Sequence, residues 1–134
     1  MTTPSPVQVV ENYFQALAEG RIPDVMAAFD ANIAWHQPGA NRFSGIKQGP
    51  EAVGAMIGGM MEVSQGSFKL EVTGPLMVNG DTVAVPVHFS GQREGATLDQ
   101  DGIDLMTVRG GKVVEVKLFS SDPAQEDAFW GQAE

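Results

Sequence analysis

Four strand-like stretches, joined by short glycine turns, occupy the second half of this chain and commit it to an antiparallel sheet. They are Ser67–Val78, Thr82–Gly91, Leu98–Arg109 and Lys112–Ser120. Asn79-Gly80-Asp81 separates the first two and Gly110-Gly111 the last two. Asn-Gly and Gly-Gly reach the positive φ angles of tight hairpin turns without strain, so each pair is expected to fold back on itself. Gln92–Thr97, with Gly95, reads as a longer hairpin loop. The expected product is a four-stranded meander.

Helical spacing dominates the first half. Val7, Val10, Tyr13, Phe14 and Leu17 share one face of a helix that Ser5 or Thr3 would cap and Gly20 would end. A short second helix starts at Pro23, with Val25, Met26 and Phe29 apolar. Asp30-Ala31-Asn32 reads as a turn, and Ile33–Gln37 as a short strand stopped by Pro38-Gly39. Ala40–Gly49 reads as loop, with room for a short extended piece at Arg42-Phe43. Pro50 and Glu51 open a third helix to about Val63. Its glycines, Gly54, Gly58 and Gly59, fit either close packing, the favoured reading, or room for a ligand. A last helix, Pro123–Trp130, is capped by Asp122.

Helices gathered on one face of a curved antiparallel sheet make an α+β fold. Three N-terminal helices wrapped on such a sheet leave a cone between the layers, and a cone is a natural small-molecule pocket. The 134 residues suffice for one domain, 1–134, and not for two.

Composition narrows the partners. A net charge of -9 sets the surface against phosphate backbones, so nucleic acid is not expected. The apolar runs are too short to span a membrane. Met1-Thr2-Thr3-Pro4-Ser5-Pro6 lacks the basic start and apolar stretch of a signal peptide. With no cysteine in the chain, a cytoplasmic location is the expectation. Two histidines, without a His-x-x-x-His or Glu-x-x-His pair, give no basis for a metal site.

Asp104 is the residue with the most chemical content. It shares a strand face with Met106 and Val108. Two readings are open: a carboxylate at a strand end bonded to backbone, or a buried acid kept neutral by its surroundings and able to donate a hydrogen bond. His36 is available as a base, but alternation turns it away from the cone if Trp35 and Gln37 face in. It is a catalytic candidate only if a bulge at Pro38-Gly39 re-aims it. His88 falls on the outer sheet face. Glu126, Asp127 and Glu134 read as a solvated C-terminal face, and Met56, Met60 and Met61 chiefly as core. Phe129 and Trp130 are expected to close the open end of the cone or pack on the sheet.

The layout resembles the nuclear transport factor 2-like superfamily, with its cystatin-like roll, and within it the ketosteroid isomerase and SnoaL-like polyketide cyclase branch. The marks are Tyr13 before Gly20-Arg21-Ile22 and Phe29, Trp35-His36-Gln37-Pro38-Gly39, Ser44-Gly45 with Gly49-Pro50-Glu51, Gly102-Ile103-Asp104 and Gly111-Lys112-Val113-Val114. The resemblance implies that Tyr13 and a protonated Asp104 form an oxyanion-binding pair, as in the isomerases. The isomerase base stands immediately before a proline, and here that position is Gln37. Glutamine accepts no proton near neutral pH, so authentic steroid isomerisation is not expected. In the SnoaL-like cyclases a late-strand Asp acts alone as acid/base, a role open to Asp104. The limonene epoxide hydrolase set of Asp, Arg and Asp finds no good match around Arg93 or Arg109.

The resemblance implies a pocket lined by Tyr13, Trp35, Gln37, Val87, Phe89 and Asp104, with Met56, Phe119 and Trp130 further candidates. The expected ligand is a small hydrophobic molecule carrying a carbonyl or hydroxyl. An isomerase, cyclase or dehydratase step without cofactor would suit, with Asp104 as acid/base and Tyr13 as donor. The alternatives are a non-catalytic binding protein and a dimeric protein-interaction module. A homodimer through the outer sheet face is expected.

Overall fold

Ser5 starts the first helix, its Oγ accepting the Gln8 backbone N–H at 3.2 Å. The computed structural model describes residues 4–132, so the alternative cap Thr3 and the acid Glu134 lie outside the described residues. In chain order the elements are α1 (Pro6–Ala18), α2 (Ile22–Ala27), β1 (Phe29–Gln37), β2 (Gly45–Gln48), α3 (Pro50–Val63), β3 (Lys69–Val72), β4 (Met77–Asn79), β5 (Thr82–Arg93), β6 (Ala96–Arg109), β7 (Lys112–Ser120) and α4 (Pro123–Trp130). One curved sheet runs β2-β1-β7-β6-β5-β3, with β4 also paired to β5. The fold is α+β, as the sequence indicates.

The turns fall where the glycines place them. Gly80, Gly110 and Gly111 all have positive φ. The link between β5 and β6 is shorter than expected, because both strands extend to pair Arg93 with Ala96.

Four local expectations change. The stretch Ser67–Val78 is two strands, β3 and β4, which pair with different parts of β5. Pro75, between them, has no N–H to give a ladder. β1 begins at Phe29, not Ile33, and its register shifts between Phe29 and Ala34. Within that irregular stretch the Asp30 carboxylate accepts the Asn32 N–H, which gives it turn-like chemistry in extended surroundings. An extended piece does lie in the region read as loop, but at Gly45–Gln48, antiparallel to β1. Finally, β1 lies parallel to β7, so the sheet is mixed. The hairpin signals specify only the meander; a strand that returns from the helices can join an edge in either sense.

The core fills the concave side. Val83, Val85, Val87 and Phe89 alternate inward on β5, and Leu98, Asp104, Met106 and Val108 on β6. Against them α1 sets Val9, Val10, Tyr13 and Phe14. The two α3 glycines with close neighbours meet side chains: a Cβ on Gly54 would touch Met26, and one on Gly59 would touch Phe43. At the other end of the layer, Trp130 lies edge-on to Phe43 and Phe129. Removing a buried aromatic of this kind costs about 3–5 kcal/mol. No helix among the described residues is long and apolar enough to cross a membrane.

Candidate functional site

The layers part to leave a cavity of about 450 Å³. Each element contributes by its periodicity. From α1 come Tyr13 and Leu17, one turn apart on the same face. From β1 come Trp35 and Gln37, two residues apart. From α3 come Met56, Ile57, Met60 and Met61, so the methionines read chiefly as core also face the cavity. The sheet adds Phe89, Asp104, Phe119 and Ser120, and α4 adds Glu126 and Trp130.

Two candidates are not in it. Val87 is 1% exposed and belongs to the core beside the cavity. His36 lies on the other face of β1, where its Nε2 sits 3.2 Å from Glu115 Oε2 across the parallel seam. The register shift in β1 lies before Ala34, so alternation holds from Trp35 to Gln37 and nothing re-aims the imidazole. His88 is likewise outward, held between Asp99 and Asp101, whose hydrogen bonds raise its pKa.

Asp104 is the acid of an apolar pocket and not a strand-end carboxylate. It is 7% exposed. Burial first, and then the nearby Glu126, push its pKa up to about 7. Among the described residues no hydrogen bond opposes those two causes. Tyr13 is raised as well, by burial and then by Asp104, so its phenol stays protonated throughout the ordinary pH range. Tyr13 and Asp104 share the cavity and sense each other's charge, without a direct hydrogen bond between them among the described residues.

Gln37 has a fixed orientation. Its Oε1 accepts the Trp35 indole N–H at 3.0 Å, which leaves its amide N–H groups to face the cavity. Trp130 carries a second indole, fully buried, whose N–H has no hydrogen-bond partner. It lies near enough to Glu126 to favour that carboxylate, yet falls outside hydrogen-bond geometry with it.

Glu126 corrects the reading of α4 as a solvated acidic face. It is 4% exposed, and its Oε1 accepts the Ser120 hydroxyl at 2.7 Å. Burial raises its pKa, with the Ser120 and Trp130 donors working against the rise. The sequence held a signal for it: Glu126 stands four residues before Trp130, so a helix that buries the tryptophan carries the glutamate on the same side. The helix is held by Arg93, the last residue of β5, whose guanidinium donates to the carbonyls of Phe129 and Ala128. That is a favourable place for a cation, at a helix C-terminus. The cavity thus gathers three donors, from Tyr13, Gln37 and protonated Asp104, around one further carboxyl, with the Trp130 N–H buried beside that carboxyl and apolar walls beyond.

A helix-covered curved sheet with a blind cavity of this kind defines an NTF2-like, cystatin-like domain. The SnoaL-like domain pattern matches residues 10–116, and the chain belongs to that family. It is similar to a protein of unknown function from Xanthomonas campestris with a cystatin-like fold, at 43% identity over 96% of this chain and 100% of the other, TM-score 0.92. It is similar to Bal32a, from a soil-derived mobile gene cassette, at 25% identity over 94% and 96% of the two chains, TM-score 0.87. An uncharacterised Mycobacterium tuberculosis protein is 26% identical over 97% of this chain and 99% of its own. Membership supports a small-molecule-binding protein of the NTF2-like kind.

Proposed function

We propose that the cavity binds an uncharged hydrophobic compound bearing carbonyl oxygens and carries out a cofactor-free isomerase, cyclase or dehydratase step on it. The observation that carries this is the convergence of Tyr13, Gln37 and Asp104, whose carboxyl keeps its proton up to about pH 7, on one apolar cavity. Donors outnumber acceptors there, so the ligand must bring acceptors. The lining's one cation, Lys69, is 2.8 Å from Glu71 and already paired. An anionic ligand would meet two buried acids and no free positive charge, which argues for a neutral one.

Replacement of the isomerase-type base by Gln37 favours a second reading, a binding protein that holds the same ligand without turnover. In both, the protein is a homodimer paired through the outer sheet face, in the cytoplasm. That face has an apolar centre in which Ala84 pairs with Leu105 and Pro86 with Ile103.

The binding claim is tested with two ligands of one shape, 1-acetonaphthone and 1-naphthoate, by quenching of Trp35 and Trp130 fluorescence. The ketone is expected to bind, and about 10-fold more weakly in Tyr13→Phe, the loss of one buried hydrogen bond. The carboxylate is expected not to bind at neutral pH. Equal binding of both, or of neither, would sink the reading.

A further inference from the structure

Glu126 is a buried acid for which neither the resemblance nor the strand pattern provides a use. It faces the same cavity as Asp104 from the opposite layer, on α4 against β6. Its environment is not that of a structural ion pair. Among the described residues no cation contacts it; its oxygen is held by Ser120, and the fully buried Trp130 N–H beside it is unpartnered. Both donors favour an ionised carboxylate, whereas Asp104 has none. Two acids in one apolar site do not ionise together, and the one with donors loses its proton first.

We propose that Glu126 is the general base of this site, supplying from α4 the proton acceptor that Gln37 does not supply from β1. This rests on the reading of the cavity as a carbonyl site. The ionised Glu126 removes a proton from the carbon next to a substrate carbonyl. The C–H electron pair becomes the C=C bond of an enolate, and the carbonyl π pair moves onto oxygen, where Asp104 and Tyr13 donate hydrogen bonds. Where that carbon also bears a C=C bond the enolate is a dienolate, and protonated Glu126 returns its proton to the far carbon of that bond; the double bond shifts into conjugation with the carbonyl and the carboxylate is regenerated, with no net change in atoms. The substrate class is a carbonyl compound whose neighbouring C–H is already acidic and whose α-carbon carries a C=C bond, such as a 2-alkenyl β-dicarbonyl, because one carboxylate suffices for such a proton.

The groups that face Glu126 set the pH profile. Asp104 and Tyr13 share the cavity, Asp127 adjoins Glu126 on α4 and raises it, and Lys69 with Glu71 stands among the lining residues as a closed pair. Activity should rise as Glu126 ionises, above the ordinary carboxylate range, and fall as Asp104 loses its donor proton near pH 7.

The probe is 5-nitrobenzisoxazole, whose single step reports a carboxylate base in an apolar pocket. The base takes the ring C–H proton, the freed pair forms a nitrile, and the N–O bond breaks to leave a coloured phenolate. The full chain should exceed glutamate buffer with a bell-shaped profile. Glu126→Gln keeps an acceptor for Ser120 and should lose about 100-fold. Glu126→Asp should recover part of that, and Asp104→Asn should lose the falling limb near pH 7. The proposal is overturned if Glu126→Gln stays within about 3-fold of the parent, or if the parent is no faster than buffer, while 1-acetonaphthone still binds. Failure of the ketone to bind the parent protein would instead remove the carbonyl site on which the proposal stands.

Discussion

An aspartate with a pKa near 3.8 in the unfolded chain and about 7 in the folded one makes its pocket depend on pH for stability as well as chemistry. Between those values the folded protein binds the extra proton. Stability is therefore highest below the lower value, falls as pH rises through the interval, and has lost the whole contribution above about 7. A difference of roughly three units corresponds to about 4 kcal/mol. Glu126, also raised, acts in the same direction. Asp104→Asn places a neutral isostere there and should flatten the slope. By chemical denaturation, the variant should be the more stable of the two at pH 8 and not at pH 4. A variant no more stable at pH 8 would mean that Asp104 ionises at little cost. Asp104 itself was legible in the sequence, because alternation with Met106 and Val108 is a local property. Glu126 was less so. Its burial depends on which way α4 lies against β6, and eight residues whose two acids are adjacent do not declare that direction. Only the spacing to Trp130 hinted at it.

Among the elements, α3 carries its glycines for unlike reasons. A Cβ at Gly58 meets nothing within 4 Å, whereas one at Gly59 would lie 2.8 Å from the Phe43 ring. Gly58→Ala should stabilise the protein by roughly 0.5–1 kcal/mol, the ordinary helix preference. Gly59→Ala should forfeit that gain, because Phe43 must leave its edge-on contact with Trp130, 5.3 Å between ring centres. The thermal midpoint should rise in Gly58→Ala and not in Gly59→Ala; two equal rises would show that Phe43 yields freely. Sequence could name the glycines as helix weak points but could not tell them apart, since the distinction lies with a partner sixteen residues away in the chain. The same limit explains the strands. Turns at Gly80 and Gly110 were legible because they depend on neighbouring residues, and the division of Ser67–Val78 was signalled only by Pro75. Where β3 and β4 each dock is decided by β5.

For the whole molecule, the proposed homodimer would cover the apolar centre of the outer face formed by Ala84, Pro86, Ile103 and Leu105. Leu105→Glu would place like charges opposite each other across a two-fold interface. Small-angle scattering should give a dimer mass for the parent and a monomer mass for the variant; a monomeric parent would exclude the pairing. The helices-then-meander order was legible, and with it the α+β class. The parallel joining of β1 to β7 was not, for it links segments that share no turn and no spacing rule. His36 and Glu115, in contact across this seam, stand 79 positions apart. Closing so long a loop is entropically slow, and chains rich in such contacts fold over milliseconds to seconds. On a ribosome, β1 would emerge and wait with only the four-residue β2 beside it, its other edge open until almost all of the meander had been synthesised. Trp35 and Gln37 would wait with it, so the site closes last, and the chain spends its nascent life with those side chains open to whatever hydrophobic surface is nearest.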